Sequence, residues 1–116
     1  MELNIANRTV KVKTGARFLR ELDKAYKLEV NGGQVDFGLN QLYINFQMKS
    51  ISALNMAIYA GTRTNQAFKP TPEQIDDFLD EQEDIDWLFK ALEEQLRESM
   101  LTKKDWNALE ENLPSE

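Results

Sequence analysis

Apolar residues alternate with polar ones over the first thirteen positions, and from Thr14 onward they recur at helical spacing broken by turns. Side chains on a strand repeat every second residue and those on a helix about every 3.6, so the switch calls for a short β element followed by a helical body. Glu2 to Ala6 and Thr9 to Lys13 each alternate, which puts Leu3, Ile5, Val10 and Val12 on one face of a hairpin and Lys11 and Lys13 on the other. Asn7-Arg8 sits between the two runs at the spacing of a two-residue turn. Asn tolerates positive φ there, whereas Arg is a poorer second turn residue than Gly. A two-stranded ribbon is marginal alone, so the apolar face of this one must lie on helices.

The helical stretches carry their own punctuation. Thr14 is placed to cap a helix with Phe18, Leu19, Leu22, Ala25 and Tyr26 at helical spacing, and Asn31-Gly32-Gly33-Gln34 reads as a turn. From Leu39 to about Ala60 the apolar residues are dense: Leu39, Leu42, Tyr43, Phe46 and Ala57 on one side, Ile44, Met48, Ile51 and Ile58 spreading onto another. A helix apolar on more than one side is usually buried among neighbours. Ser50 and Ser52 allow a break, with Ser52 capping a second helix, and Gly61 suits a helix C-terminus. Thr71-Pro72-Glu73-Gln74 is a capping box with proline at the first helical position, followed by Ile75, Phe78 and Leu79. Asp84 or its neighbour opens a helix striped by Ile85, Leu88, Phe89, Leu92 and Leu96. Thr102, with Asp105 three residues later, opens a last one to Leu113, where Leu101 and Trp106 have the spacing of a hydrophobic staple.

These elements predict a mainly helical α+β domain spanning 1–116, an N-terminal β-hairpin packed on about five α-helices. It divides into the hairpin at 2–13, a helical core at 14–62 and acidic C-terminal helices at 71–113. A length of 116 residues suits one domain with a modest core. The chain has no Cys and no His, which removes disulfides, thiolate chemistry, the commonest general base and the commonest transition-metal ligand. That composition argues against an enzyme, and no catalytic, cofactor-binding or metal-binding residue is assigned. Met1-Glu2-Leu3-Asn4 does not open a signal peptide, and no run approaches the roughly 20 apolar residues of a membrane span. A cytoplasmic protein is expected.

Charge is unevenly placed. Residues 1–69 hold ten Lys or Arg and five Asp or Glu, a net of +5, whereas 70–116 hold four and fifteen, a net of −11. Glu73, Asp76, Asp77, Asp80, Glu81, Glu83, Asp84 and Asp86 crowd into fourteen residues without a basic one between them. Paired carboxylates can hold Mg²⁺ or Ca²⁺, but the run lacks the alternating ligands and mid-loop glycine of an EF-hand, and a solvated face is the simpler reading. Arg8, Lys11, Lys13, Arg17, Arg20, Lys24 and Lys27 are basic without a nucleic-acid motif. Pairing with the acidic half, within one chain or between copies as a homo-oligomer, is the use expected of them. At about 100° per residue, Trp87 falls opposite the Leu88-Leu92-Leu96 stripe, either sandwiched or offered to a partner.

Several segments together resemble the tail assembly chaperones of long-tailed phages and prophages of Gram-positive bacteria. They are Met1-Glu2-Leu3-Asn4-Ile5 with the hairpin, Gly15-Ala16-Arg17-Phe18-Leu19-Arg20-Glu21-Leu22-Asp23-Lys24-Ala25-Tyr26, Phe37-Gly38-Leu39-Asn40, and Ile75-Asp76-Asp77-Phe78-Leu79-Asp80-Glu81-Gln82-Glu83-Asp84-Ile85. Asn7-Arg8 departs from the glycine-containing turn of the family. The resemblance implies a non-enzymatic protein that binds the tape measure protein, keeps it soluble and helps recruit tail tube subunits. It would act in the host cytoplasm and be absent from the mature virion. A competing reading is an acidic protein-binding regulator that mimics nucleic acid. For the client, the C-terminal helices are the expected surface, through Trp87, Met100, Leu101, Trp106, Leu109 and Leu113; the alternative is that the last helix closes the core.

Overall fold

Strands β1 (Glu2–Ile5) and β2 (Arg8–Lys11) pair antiparallel, Leu3 opposite Val10 and Ile5 opposite Arg8. The computed structural model describes residues 1–30, 33–36 and 38–112, with the backbone alone for 28–30 and 33–36. Leu3, Ile5, Val10 and Val12 are buried while Lys11 and Lys13 are exposed, as the alternation predicts. The turn, however, is Ala6-Asn7 rather than Asn7-Arg8, with φ of 53° and 62°. Two successive left-handed residues give the twist that a tight hairpin needs; Asn accepts it readily, Ala at a steric cost. Both registers keep the same four residues on one face, so alternation alone does not choose between them. The observed one continues to Met1, whose carbonyl accepts the Val12 N–H at 2.8 Å. On the outer edge of β2, the Lys11 N–H donates to Asn65 Oδ1 at 3.0 Å and Asn65 Nδ2 donates to the Lys11 carbonyl at 2.8 Å.

Six helices follow among the described residues, against about five expected: α1 (Ala16–Ala25), α2 (Gly38–Gln47), α3 (Ile51–Gly61), α4 (Pro72–Asp80), α5 (Asp86–Glu98) and α6 (Lys103–Glu111). A second hairpin, β3 (Lys27–Val30) with β4 (Gly33–Asp36), separates α1 from α2. Gly33 and Gln34, expected in a turn, belong to β4; Asn31 and Gly32 lie outside the described residues. The class is α+β and mainly helical.

Close approaches set how the body packs. A Cβ on Gly38 would lie 2.7 Å from both the carbonyl carbon and the Cβ of Leu22, so α2 can start against α1 only with glycine there. The Gly38 N–H donates to Asp23 Oδ1 at 3.0 Å, a carboxylate where the helix dipole favours one. Gly61 closes α3 sterically: its Cβ would meet Val12 Cγ1 at 2.5 Å, and its carbonyl accepts the Lys13 N–H at 2.8 Å. Helix α2 ends in a Schellman motif, the Ser50 N–H on the Asn45 carbonyl and the Lys49 N–H on that of Phe46. Lys49, at φ 54°, holds the left-handed position usually given to glycine.

The caps differ from expectation in three places. Ser50 rather than Ser52 caps α3, accepting the Ala53 N–H at 3.2 Å. Thr14 does not cap α1; it is buried, and its hydroxyl bonds Ser99 and the Gln95 amide. The Thr102 hydroxyl donates to the Leu96 carbonyl at 2.9 Å instead of capping α6. The box on α4 is reciprocal as expected, Gln74 N–H to Thr71 Oγ1 and Thr71 N–H to Gln74 Oε1, and Asp84 accepts the Asp86 N–H before α5. Ile75, Phe78 and Leu79 of α4 and Leu88, Phe89, Leu92 and Leu96 of α5 are buried. Burying such a stripe stabilises by about 1.5–3 kcal/mol per large side chain before entropy is counted.

Candidate partner-binding surface

Trp87 stands on the first turn of α5 with 44% of its surface exposed, off the buried stripe where the helical arithmetic places it. Met100 and Leu101 fall in the short turn joining α5 to α6, exposed by 80% and 56%. They border a shallow hollow of about 330 Å³, shared with Val12, Lys13, Thr14, Gly15, Gln95 and Ser99. Trp106 has no exposed surface, Leu109 is half-buried, and Leu113 lies outside the described residues. The five expected residues that are described therefore divide into three exposed at the ends of α5 and two on the inner side of α6. The staple does not form: Leu101 stays exposed while Trp106 turns into the core.

A second apolar patch escaped the sequence reading. Ile44, Met48 and Ile51, expected to be buried, are exposed by 44%, 67% and 48% around the corner between α2 and α3. Apolar density shows that a helix has two apolar sides; it does not show how many neighbours cover them. The nearest signal was Ser50, which breaks the helix and leaves Met48 and Ile51 at its two ends.

Beneath α6 the packing is aromatic. The Trp106 ring meets Tyr43 edge-on with centroids 5.2 Å apart, and Phe46 at 6.1 Å; Phe46 in turn meets Phe89 at 5.1 Å. Such T-shaped pairs add about 0.5–1.5 kcal/mol beyond area burial. The Tyr43 hydroxyl and Trp106 Nε1 are both buried without a hydrogen-bond partner among the described residues. At the rim, Arg97 forks onto the Glu110 carboxylate with bonds of 2.7–3.0 Å and stands 3.7 Å from Glu93. The Lys49 ammonium lies 4.9 Å from the centre of the Phe89 ring. Burial pushes the Tyr43 phenol above its ordinary pKa, and Glu110 and Glu93 push it further the same way. Burial also raises Glu93, against the pull of Lys49 and Arg97.

The charged faces remain apart. All eight carboxylates of the 73–86 run are on exposed residues, and among the described residues no group of three or more could hold a metal ion. The ion pairs of the described residues join Glu21 to Arg17 and Lys24, and Arg97 to Glu93 and Glu110, so none links the basic N-terminal face to the acidic run. Pairing of the two within one chain, which the charge balance suggested, is not present among the described residues. Nor is any described helix long and apolar enough to cross a membrane.

Large apolar side chains exposed at helix ends suit contact with protein. Comparison with known families agrees: the family described as phage tail assembly chaperone protein, TAC, matches residues 2–110. The chain belongs to the phage tail assembly chaperones. No curated protein and no solved structure matches it. Two segments that carry the chaperone resemblance meet in space through the Asp23 bond to Gly38, so the family texture there is explained by packing.

Proposed function

We propose that the protein is a non-enzymatic chaperone of the tape measure protein. It keeps that client soluble in the host cytoplasm and helps recruit tail tube subunits to it, and it is left out of the finished virion. The observation that carries the reading is the exposure of Trp87, Met100 and Leu101 on a tail assembly chaperone. Large exposed apolar side chains of this kind mark protein contacts, and an amphipathic client helix is the segment they would cover. Co-expression with the tape measure protein tests it: soluble client should rise, and W87A, M100S and L101S together should cancel the gain without lowering the melting temperature. A competing reading draws on the eight exposed carboxylates, which could copy the charge of a nucleic acid. In that case D77N, E81Q and D84N would abolish binding, added salt would collapse it, and the client would stay insoluble.

A further inference from the structure

Helix α6 is held by little. Trp106 is its one buried residue among those described, its N-cap side chain makes no capping bond, and it packs only on α5 and α2 as principal neighbours. Docking it also seals in the Tyr43 hydroxyl and Trp106 Nε1 without partners among the described residues. A buried donor left unpaired loses its bonds to water and gains none in return, so the seam is weaker than its apolar area suggests. The Arg97–Glu110 fork is solvent-accessible and adds little to offset this. A nine-residue helix is itself marginal when undocked.

We propose that α6 is a displaceable latch over an aromatic groove, and that a helix of the client takes its place. Lifting α6 uncovers the rings of Tyr43 and Phe46, with Arg97 and Lys49 at the rim. The sequence of α6 defines what fits: an aromatic side chain, an aliphatic one three residues on, and a carboxylate next to that, as Trp106, Leu109 and Glu110 are spaced. An incoming helix that also brings an acceptor to the Tyr43 hydroxyl gains a bond that α6 lacks, which lets it compete. This inference rests on the chaperone reading for the identity of the occupant; the latch itself rests on the seam. It gives Trp106 and Leu109 a place in binding, although they face inward.

Hydrogen exchange on the full chain is the first test. The amides of α6 should exchange on the order of 100-fold faster than those of α3, through local opening. Exchange of both helices at one common rate would overturn the latch. The second test uses W87F, which leaves Trp106 as the single tryptophan. A synthetic peptide of residues 99–112 carrying W106F should raise acrylamide quenching of Trp106 several-fold, whereas one carrying W106A and L109A should not. The peptide must reach millimolar concentration, because the tethered helix competes at that effective level. Unchanged quenching would overturn displacement. Quenching that rises with protein concentration alone, together with a dimeric mass, would make a second copy the occupant and overturn the assignment to a client. A rigid α6 with a solubilised client would sink the latch and leave the chaperone reading standing; a mobile α6 with an insoluble client would do the reverse.

Discussion

Helices α3 and α6 are similar in length, eleven and nine residues, and each follows a short turn from the preceding helix. Helix α3 buries Ala53, Leu54, Ala57, Ile58, Ala60 and Gly61, begins on a serine cap, and ends with Gly61 against Val12. Among the described residues, helix α6 buries one tryptophan, and two donors at its seam, Trp106 Nε1 and the Tyr43 hydroxyl, are left unpaired. Many small contacts fix α3 in one place, whereas α6 hangs on one large one. Stability in so small a protein is therefore not spread evenly, and the poorly secured edge is the part free to respond to a partner.

The difference should be largest in truncations. Leu54→Ala should cost about 2–5 kcal/mol and shift the unfolding of the whole chain, read by denaturant titration. Trp106→Ala removes a bigger side chain, yet its cost should fall short of the ~3–5 kcal/mol of a tryptophan in a rigid core, since it can lose no more than the docking of α6. A full-sized loss at Trp106 would erase the contrast. Next in size, Gly61→Ala should cost about 1–3 kcal/mol by overpacking, and a Val12→Ala partner should recover part of it. Additive losses in that cycle would mean the close approach is not what glycine is there for.

The edge should also gain where the body loses. Tyr43→Phe keeps the ring pair and deletes a buried hydroxyl that has no partner among the described residues, so it should raise stability by about 1 kcal/mol, visible as a higher melting temperature. The smallest contrast is in acid. Glu21 is held below its ordinary 4.5 chiefly by the Arg17 hydrogen bond, so its stabilisation is present above that value and fades as pH falls through the depressed one. Glu93 is raised by burial, so the folded chain keeps its proton longer and stability is gained as pH falls through the raised value. Acid titration of E21Q should therefore be flatter than that of the parent, and that of E93Q steeper.

What could be read from the sequence was whatever is decided within a few residues. The α4 capping box has both partners inside one turn, the α5 stripe declares its own buried face, and Trp87 stood off that stripe before any packing was known. Where two local solutions were equivalent, tertiary contacts chose. Ser50 and Ser52 were both competent caps, and two hairpin registers buried the same four residues. The β3–β4 hairpin went unread because Gly32-Gly33 masked a strand beginning at the second glycine. Gly61 looked like chain punctuation, but it and Gly38 are each fixed by a side chain or backbone far along the sequence. For the binding surface, the exposure of Met100 and Leu101 fits an interhelix turn, whereas that of Ile44, Met48 and Ile51 depended on which neighbours were missing.

The carboxamide of Asn65 gives the hairpin a protected edge. With one side chain it makes both bonds that a passing extended segment would make to Lys11 on β2. A segment approaching that edge finds its docking point taken and must first evict Asn65, so the ribbon is a poor template for cross-strand growth. Asn65→Ala would reopen it, and the first sign would be slow clumping of an otherwise intact fold rather than any change in how it melts.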